Sequence, residues 1–115
     1  MTMQSFEVSS YDIRLARRLD TYAQGSLVRY NASITCRGSG YTLTIYFLDE
    51  EQNLVPNNAY FPDSKRGTSY LPTSQYQWYV DLLRNEKPIY GFLYRSYPLQ
   101  NGIYTGAEPV GENEQ

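Results

Sequence analysis

The chain has no histidine and one cysteine, Cys36, in 115 residues. Histidine is the commonest general acid or base near neutral pH and the commonest metal ligand. Its absence excludes Ser-His and Cys-His nucleophilic sites and His-ligated zinc or non-haem iron. A lone cysteine excludes an internal disulfide and favours a reducing compartment. No stretch approaches the roughly 20 apolar residues of a membrane-crossing helix. The opening Met1-Thr2-Met3-Gln4-Ser5 has neither a basic start nor an apolar run. We therefore expect no secretory leader, no membrane partner and a cytoplasmic location. An excess of one charge is missing as well: 10 basic against 12 acidic side chains leave a net −2. That balance supplies no general attraction to nucleic acid and argues against it as a partner.

Lysine is scarce, two residues against eight arginines, whereas tyrosine is abundant at 13. A tyrosine is apolar along its ring and polar at its tip, which suits surfaces that are wet alone and dry in a complex. Tyr30, Tyr41 and Tyr79 fall in apolar patterns and belong to the expected core. Tyr46, Tyr60, Tyr70, Tyr76, Tyr94, Tyr97 and Tyr104 are too many to enclose together in a domain of this size. Interfaces are enriched in aromatics and arginine and depleted in lysine, the same bias seen here.

Period-two alternation is clearest from Val28 to Cys36, with Val28, Tyr30, Ala32, Ile34 and Cys36 on one face, and again in Tyr41, Leu43, Ile45 and Phe47. A two-residue turn centred on Gly38-Ser39 pairs Cys36 with Tyr41, Ile34 with Leu43, Ala32 with Ile45 and Tyr30 with Phe47, keeping both apolar sets on one side. Residues 11–20 fit two descriptions. Ser9 and Asp12 have capping-box spacing before a helical Leu15, Leu19, Tyr22 stripe, but Tyr11, Ile13 and Leu15 also alternate like a strand. The turn-like Ala23-Gln24-Gly25 favours the strand and a three-stranded N-terminal meander.

Residues 49–72 are too long for a structureless loop, so a short strand is expected at Ala59 to Phe61 or Thr68 to Leu71, the first at an edge because Pro56 and Pro62 bound it. A helix is predicted from Ser74 to Glu86. Ser74 and Gln77 form its capping box, Tyr76, Tyr79, Val80 and Leu83 its apolar stripe, and Trp78 and Leu82 widen that stripe. Ile89 to Tyr94 reads as an internal strand covered on both faces, and Asn101-Gly102 as a turn. The fold class expected is α+β: an antiparallel sheet of about five strands, with the N-terminal meander, packed against one main helix. A small all-β barrel carrying a short helix is the alternative. Residues 1–106 form one globular domain, and 107–115 an acidic flexible tail.

Candidate chemistry is sparse. Cys36 lacks a base to activate it and reads as a small buried hydrophobe. Asp49-Glu50-Glu51 lacks the spaced oxygen ligands of a calcium loop and reads as a solvated strand end, so we expect neither metal nor cofactor. With residues 11–20 as a strand, Arg14, Arg18, Arg29 and Arg37 project from the face opposite the core beside Tyr46, interrupted by Asp12 and Asp20. These patterns point away from an enzyme and toward a non-catalytic protein-interaction module, engaging a protein partner or forming a homodimer. Its contact residues are expected among Tyr46, Tyr94, Tyr97, Arg14, Arg18 and Arg29. The alternative is a domain binding a small anionic ligand or single-stranded nucleic acid, its arginines meeting the anion and its tyrosines stacking on rings.

Overall fold

The ambiguous segment 11–20 is a strand. A computed structural model describes residues 2–52 and 54–107. Along the described chain run β1 (Met3–Glu7), β2 (Ser10–Ala23), β3 (Ser26–Gly38), β4 (Tyr41–Leu48), β5 (Ala59–Phe61), β6 (Arg66–Pro72), α1 (Tyr76–Asn85), β7 (Ile89–Tyr94) and β8 (Gly102–Thr105). Alternation wins in β2 because Tyr11, Ile13 and Leu15 stand opposite Cys36, Ile34 and Ala32 of β3. The connecting turn is Gln24-Gly25, both with positive φ, at 52° and 80°. That is the type I′ geometry whose twist matches its strands.

The main sheet has five strands in the order β2-β3-β4-β6-β5, and a second sheet has the order β1-β7-β8. The barrel alternative does not form, since β2 and β5 remain as edges. The expected five strands packed on one helix are present, but the main sheet is mixed: β4 and β6 run parallel and every other pair is antiparallel. After β4 the chain reaches the short edge strand β5, then turns into β6. Both segments expected as alternatives in this region are strands. The predicted tail falls largely on residues 108–115, outside those described.

The β3–β4 turn sits one residue further along than its sequence suggests. Ser39 and Gly40 form it with φ of 52° and 84°, and the pairs are Gly38 with Tyr41, Cys36 with Leu43, Ile34 with Ile45 and Ala32 with Phe47. Each partner moves by two positions, which keeps Ala32, Ile34 and Cys36 with Leu43, Ile45 and Phe47 on the expected face. Gly38 serves a different purpose, because a Cβ there would strike the Glu7 carbonyl where β1 passes over the hairpin.

A second departure has larger consequences. Tyr30 stands opposite Leu48 and not Phe47, which leaves Asn31 as an extra residue in β3. Its Nδ2 donates to the Arg17 carbonyl and to Asp49 Oδ2. β2 carries a matching irregularity between Leu15 and Leu19. A bulge reverses the alternation beyond it, so Val28 and Tyr30 leave the face of Ala32, Ile34 and Cys36. Two apolar clusters result. The first joins Ala32, Ile34, Cys36, Leu43, Ile45 and Phe47 to Val80 and Leu83 of α1 and to Phe6, Ile89 and Leu93 of the small sheet. The second, on the other face, holds Ala23, Val28, Tyr30, Leu48 and Tyr70, with Leu19 and Tyr46 against it.

The helix begins later than its capping-box pattern implies. A 3-10 turn at Thr73–Gln75 precedes α1, and no side chain caps either start. Thr73 Oγ1 donates instead to the Leu48 carbonyl, which ties the turn to the end of β4, and Gln77 reaches forward to Asp81. Val80 and Leu83 are buried, and Tyr76, Tyr79 and Leu82 pack beside them. Trp78, expected to widen that side, is 70% exposed. It lies about 100° round the helix from Tyr79, beyond the buried stripe.

Candidate interaction surface

β7 is central in its sheet, as expected of an internal strand, but it is closed on one face. Ile89, Gly91 and Leu93 are buried, whereas Tyr90, Phe92 and Tyr94 point outward and are half-buried. Gly91 makes the inward packing possible, since a Cβ there would meet the ring of Phe6. On the outer face Tyr90 stands opposite Tyr104 of β8, with the rings stacked at 5.3 Å. Phe92 meets Tyr94 edge-on at 6.0 Å, and Tyr94 meets Tyr97 at 5.5 Å. On β1, Ser5 faces Phe92 and Met3 faces Tyr94. The Tyr104 hydroxyl and Ser5 Oγ are hydrogen-bonded at 2.9 Å. The rings form one outward surface from β8 across β7 to the following loop, where Tyr97 is 62% exposed.

This surface brings Tyr94 and Tyr97 together and leaves Tyr46 elsewhere. Tyr46 lies in the second cluster on the main sheet, edge-on to Tyr30 at 4.9 Å and stacked on Tyr70 at 5.3 Å. Burial raises the Tyr30 and Tyr70 hydroxyl pKa values. At Tyr30 the neighbouring Tyr46 adds to the rise and the Arg14 charge opposes it.

The arginines do not form one stripe. Arg14 stands opposite Ser33, which stands opposite Tyr46, so Arg14 shares Tyr46's face. Arg37 on that face is paired with Asp12. Beyond the bulges Arg18 and Arg29 turn to the other side and open, with Arg17, into a cleft of about 630 Å³ whose remaining walls are Asp49 and Glu51. Arg18 also lies 3.5 Å from Asp20. The Asp49 carboxyl is held below its ordinary pKa, first by the Glu51 N–H and then by the Asn31 amide, with Arg29 and Arg18 adding to the effect. The cleft's positive charge is thus largely offset where it arises.

Sequence reasoning missed Tyr90, Phe92 and Met3, because β7's two apolar faces read as two covered faces. The available signal was the aromatic character of its even positions against the aliphatic odd ones. Asn101 was also misjudged as a simple turn residue. It is buried, accepting from the Tyr94 N–H and donating to the Ala59 and Thr68 carbonyls, so it stitches the small sheet to β5 and β6. Asn58 does similar work, accepting from the Tyr70 N–H and donating to Ser69 Oγ and the Pro98 carbonyl.

Cys36 is fully enclosed, and burial, helped by Asp12, pushes its thiol up to about 12. It is a neutral packing group at physiological pH. Among the described residues every buried side-chain N or O atom has a hydrogen-bond partner. No group of three His, Cys, Asp or Glu stands close enough among them to hold a metal ion. No helix among them is long and apolar enough to cross a membrane. Comparison of the chain with protein-family models, curated proteins and solved structures finds no match.

Proposed function

We propose that this protein is a non-catalytic protein-interaction module of the cytoplasm and that the outer face of β1-β7-β8 is where it binds. The observation supporting this is the set of rings of Tyr90, Phe92, Tyr94, Tyr97 and Tyr104 on one sheet face that no element among the described residues covers. Half-exposed tyrosines and a phenylalanine offer rigid apolar area with hydroxyls at the rim, the composition that complexes bury at their anchors. The anionic-ligand or single-stranded nucleic-acid alternative has weaker support. Its arginine cleft includes Asp49 and Glu51 and has no aromatic ring among its walls, whereas strand binding needs a basic groove with stacking platforms.

The test uses Tyr97→Glu with Tyr104→Glu, two exposed positions of this face. A partner, or a second copy, held by the wild-type protein should be released by this variant while its circular dichroism still shows the folded sheet, and Tyr97→Glu alone, which leaves the Tyr104 contacts intact, should weaken the same complex. Retention of every partner and of the native sedimentation behaviour by the double variant would remove the aromatic face from the interaction.

A further inference from the structure

We propose that the free edge of β2 pairs with the same edge of a second copy in antiparallel register about Ile13, joining two five-stranded sheets across a two-fold axis. This inference uses a different surface from the aromatic face and does not rest on it. Among the described residues β2 is the longest strand, 14 residues, and is hydrogen-bonded on one side, to β3. A long open edge presents unpaired backbone groups that template another strand.

What singles out the second copy as occupant is the order of the side chains. Tyr11, Ile13 and Leu15 share the face of Cys36, Ile34 and Ala32, all sealed in the first cluster. Yet Leu15 is 63% exposed and Tyr11 36%. The apolar layer therefore continues onto β2 past its cover. On the opposite face Asp12 bonds Arg37, and Arg14 has no ion-pair partner among the described residues. The run Tyr11-Asp12-Ile13-Arg14-Leu15 is self-complementary when reversed about its centre. Each Tyr11 then meets the partner's Leu15, the two Ile13 meet each other, and each Asp12 meets the partner's Arg14. Opposite-charge and aromatic–aliphatic pairs of this kind stabilise a strand pair, and like charges directly opposite destabilise it.

Neighbouring registers fail on the same residues. Centring on Arg14 sets two arginines face to face and leaves Asp12 against Ala16. Centring on Asp12 opposes two carboxylates. Centring on Leu15 runs the pairing into the irregular stretch between Leu15 and Leu19. One register thus satisfies both faces at once, as a closed two-fold interface requires.

Sedimentation equilibrium of the full chain tests this with two single variants and their mixture. In Arg14→Glu, each Asp12 faces a glutamate; in Asp12→Lys, each lysine faces an arginine. Each variant alone should weaken the dimer about tenfold or more. Mixed one to one, Asp12 of the first variant faces Arg14 of the second, and the introduced glutamate faces the introduced lysine. The dimer should then return as a heterodimer, which a structural defect could not produce. A wild-type monomer at all concentrations up to about 1 mM would overturn the inference. So would a dimer indifferent to both charge variants, or a mixture that stays monomeric. A dimer lost in Tyr97→Glu with Tyr104→Glu but untouched at Asp12 and Arg14 would place self-association on the aromatic face, refuting the edge pairing alone.

Discussion

The two faces of the five-stranded sheet are built from the same strands and end in different states. One carries, on β3 and β4, aliphatics and Phe47 enclosed beneath α1 and the small sheet. The other carries Tyr30, Tyr46 and Tyr70 around Val28 and Leu48, with Tyr46 still half-exposed. A bulge at Asn31 makes the division, because it sends the first half of β3's apolar residues to one side and the second half to the other. Aliphatic side chains can be sealed without polar partners, whereas each tyrosine hydroxyl needs a hydrogen bond or water. The tyrosine face is accordingly the more open one.

The sharpest separation of the faces comes from truncating each. Phe47 has no exposed surface and meets Tyr76 and Tyr79 edge-on at 5.2 and 5.7 Å. Phe47→Ala should cost about 3 to 5 kcal/mol, read as a lowered midpoint in urea. An unchanged midpoint would mean that α1 and the sheet are not held together through this face.

Next in size is the link between the sheets. Asn101→Ala leaves the Tyr94 N–H and the Ala59 and Thr68 carbonyls without their side-chain partner. A buried unsatisfied group costs about 1 to 3 kcal/mol. Amide exchange should speed up in β7 and β5 more than in β3. Equal protection throughout would show that the small sheet is held by its apolar contacts alone.

Most of this architecture could be read from residue order. The alternation of β4 and of β3 from Ala32 onward, the turn before β3, the edge position of β5 and the stripe of Tyr76, Tyr79, Val80 and Leu83 all follow from local periodicity and turn chemistry. What escaped was decided by distant contacts. The β3–β4 turn moved because Gly38 is required beneath Glu7, a contact between residues far apart in the chain. The arginine stripe dissolved because Asn31 finds acceptors on Arg17 and Asp49, which a period-two pattern cannot reveal. Of the expected contact residues, Tyr94 and Tyr97 share a surface, and Tyr46, Arg14, Arg18 and Arg29 are distributed over two others.

Alkaline pH offers a graded comparison of the faces. Cys36 on the first has its pKa raised from 9.0 to about 12, and Tyr30 and Tyr70 on the second are raised above 10.0. A raised folded-state pKa means that the unfolded chain loses its proton first. The stabilisation is therefore complete below the unfolded value and lost as pH rises through the folded one. For Cys36 that window runs from about pH 9 to about 12. Wild-type stability should fall more steeply across it than that of Cys36→Ala. Parallel curves for the two proteins would show that the thiol is not kept protonated by its surroundings in the way the buried face requires.

The smallest effect is expected at Tyr46→Phe. Its ring stacks on Tyr70 and meets Tyr30 edge-on, contacts that phenylalanine keeps. Its hydroxyl has no hydrogen-bond partner among the described residues and lies on a half-exposed side chain, so removing it leaves no buried group stranded. The change in stability should stay within about 0.5 kcal/mol. A loss of about 1 kcal/mol or more would mean that the hydroxyl is held by an ordered hydrogen bond, and hence that the tyrosine face is as closed as the aliphatic one.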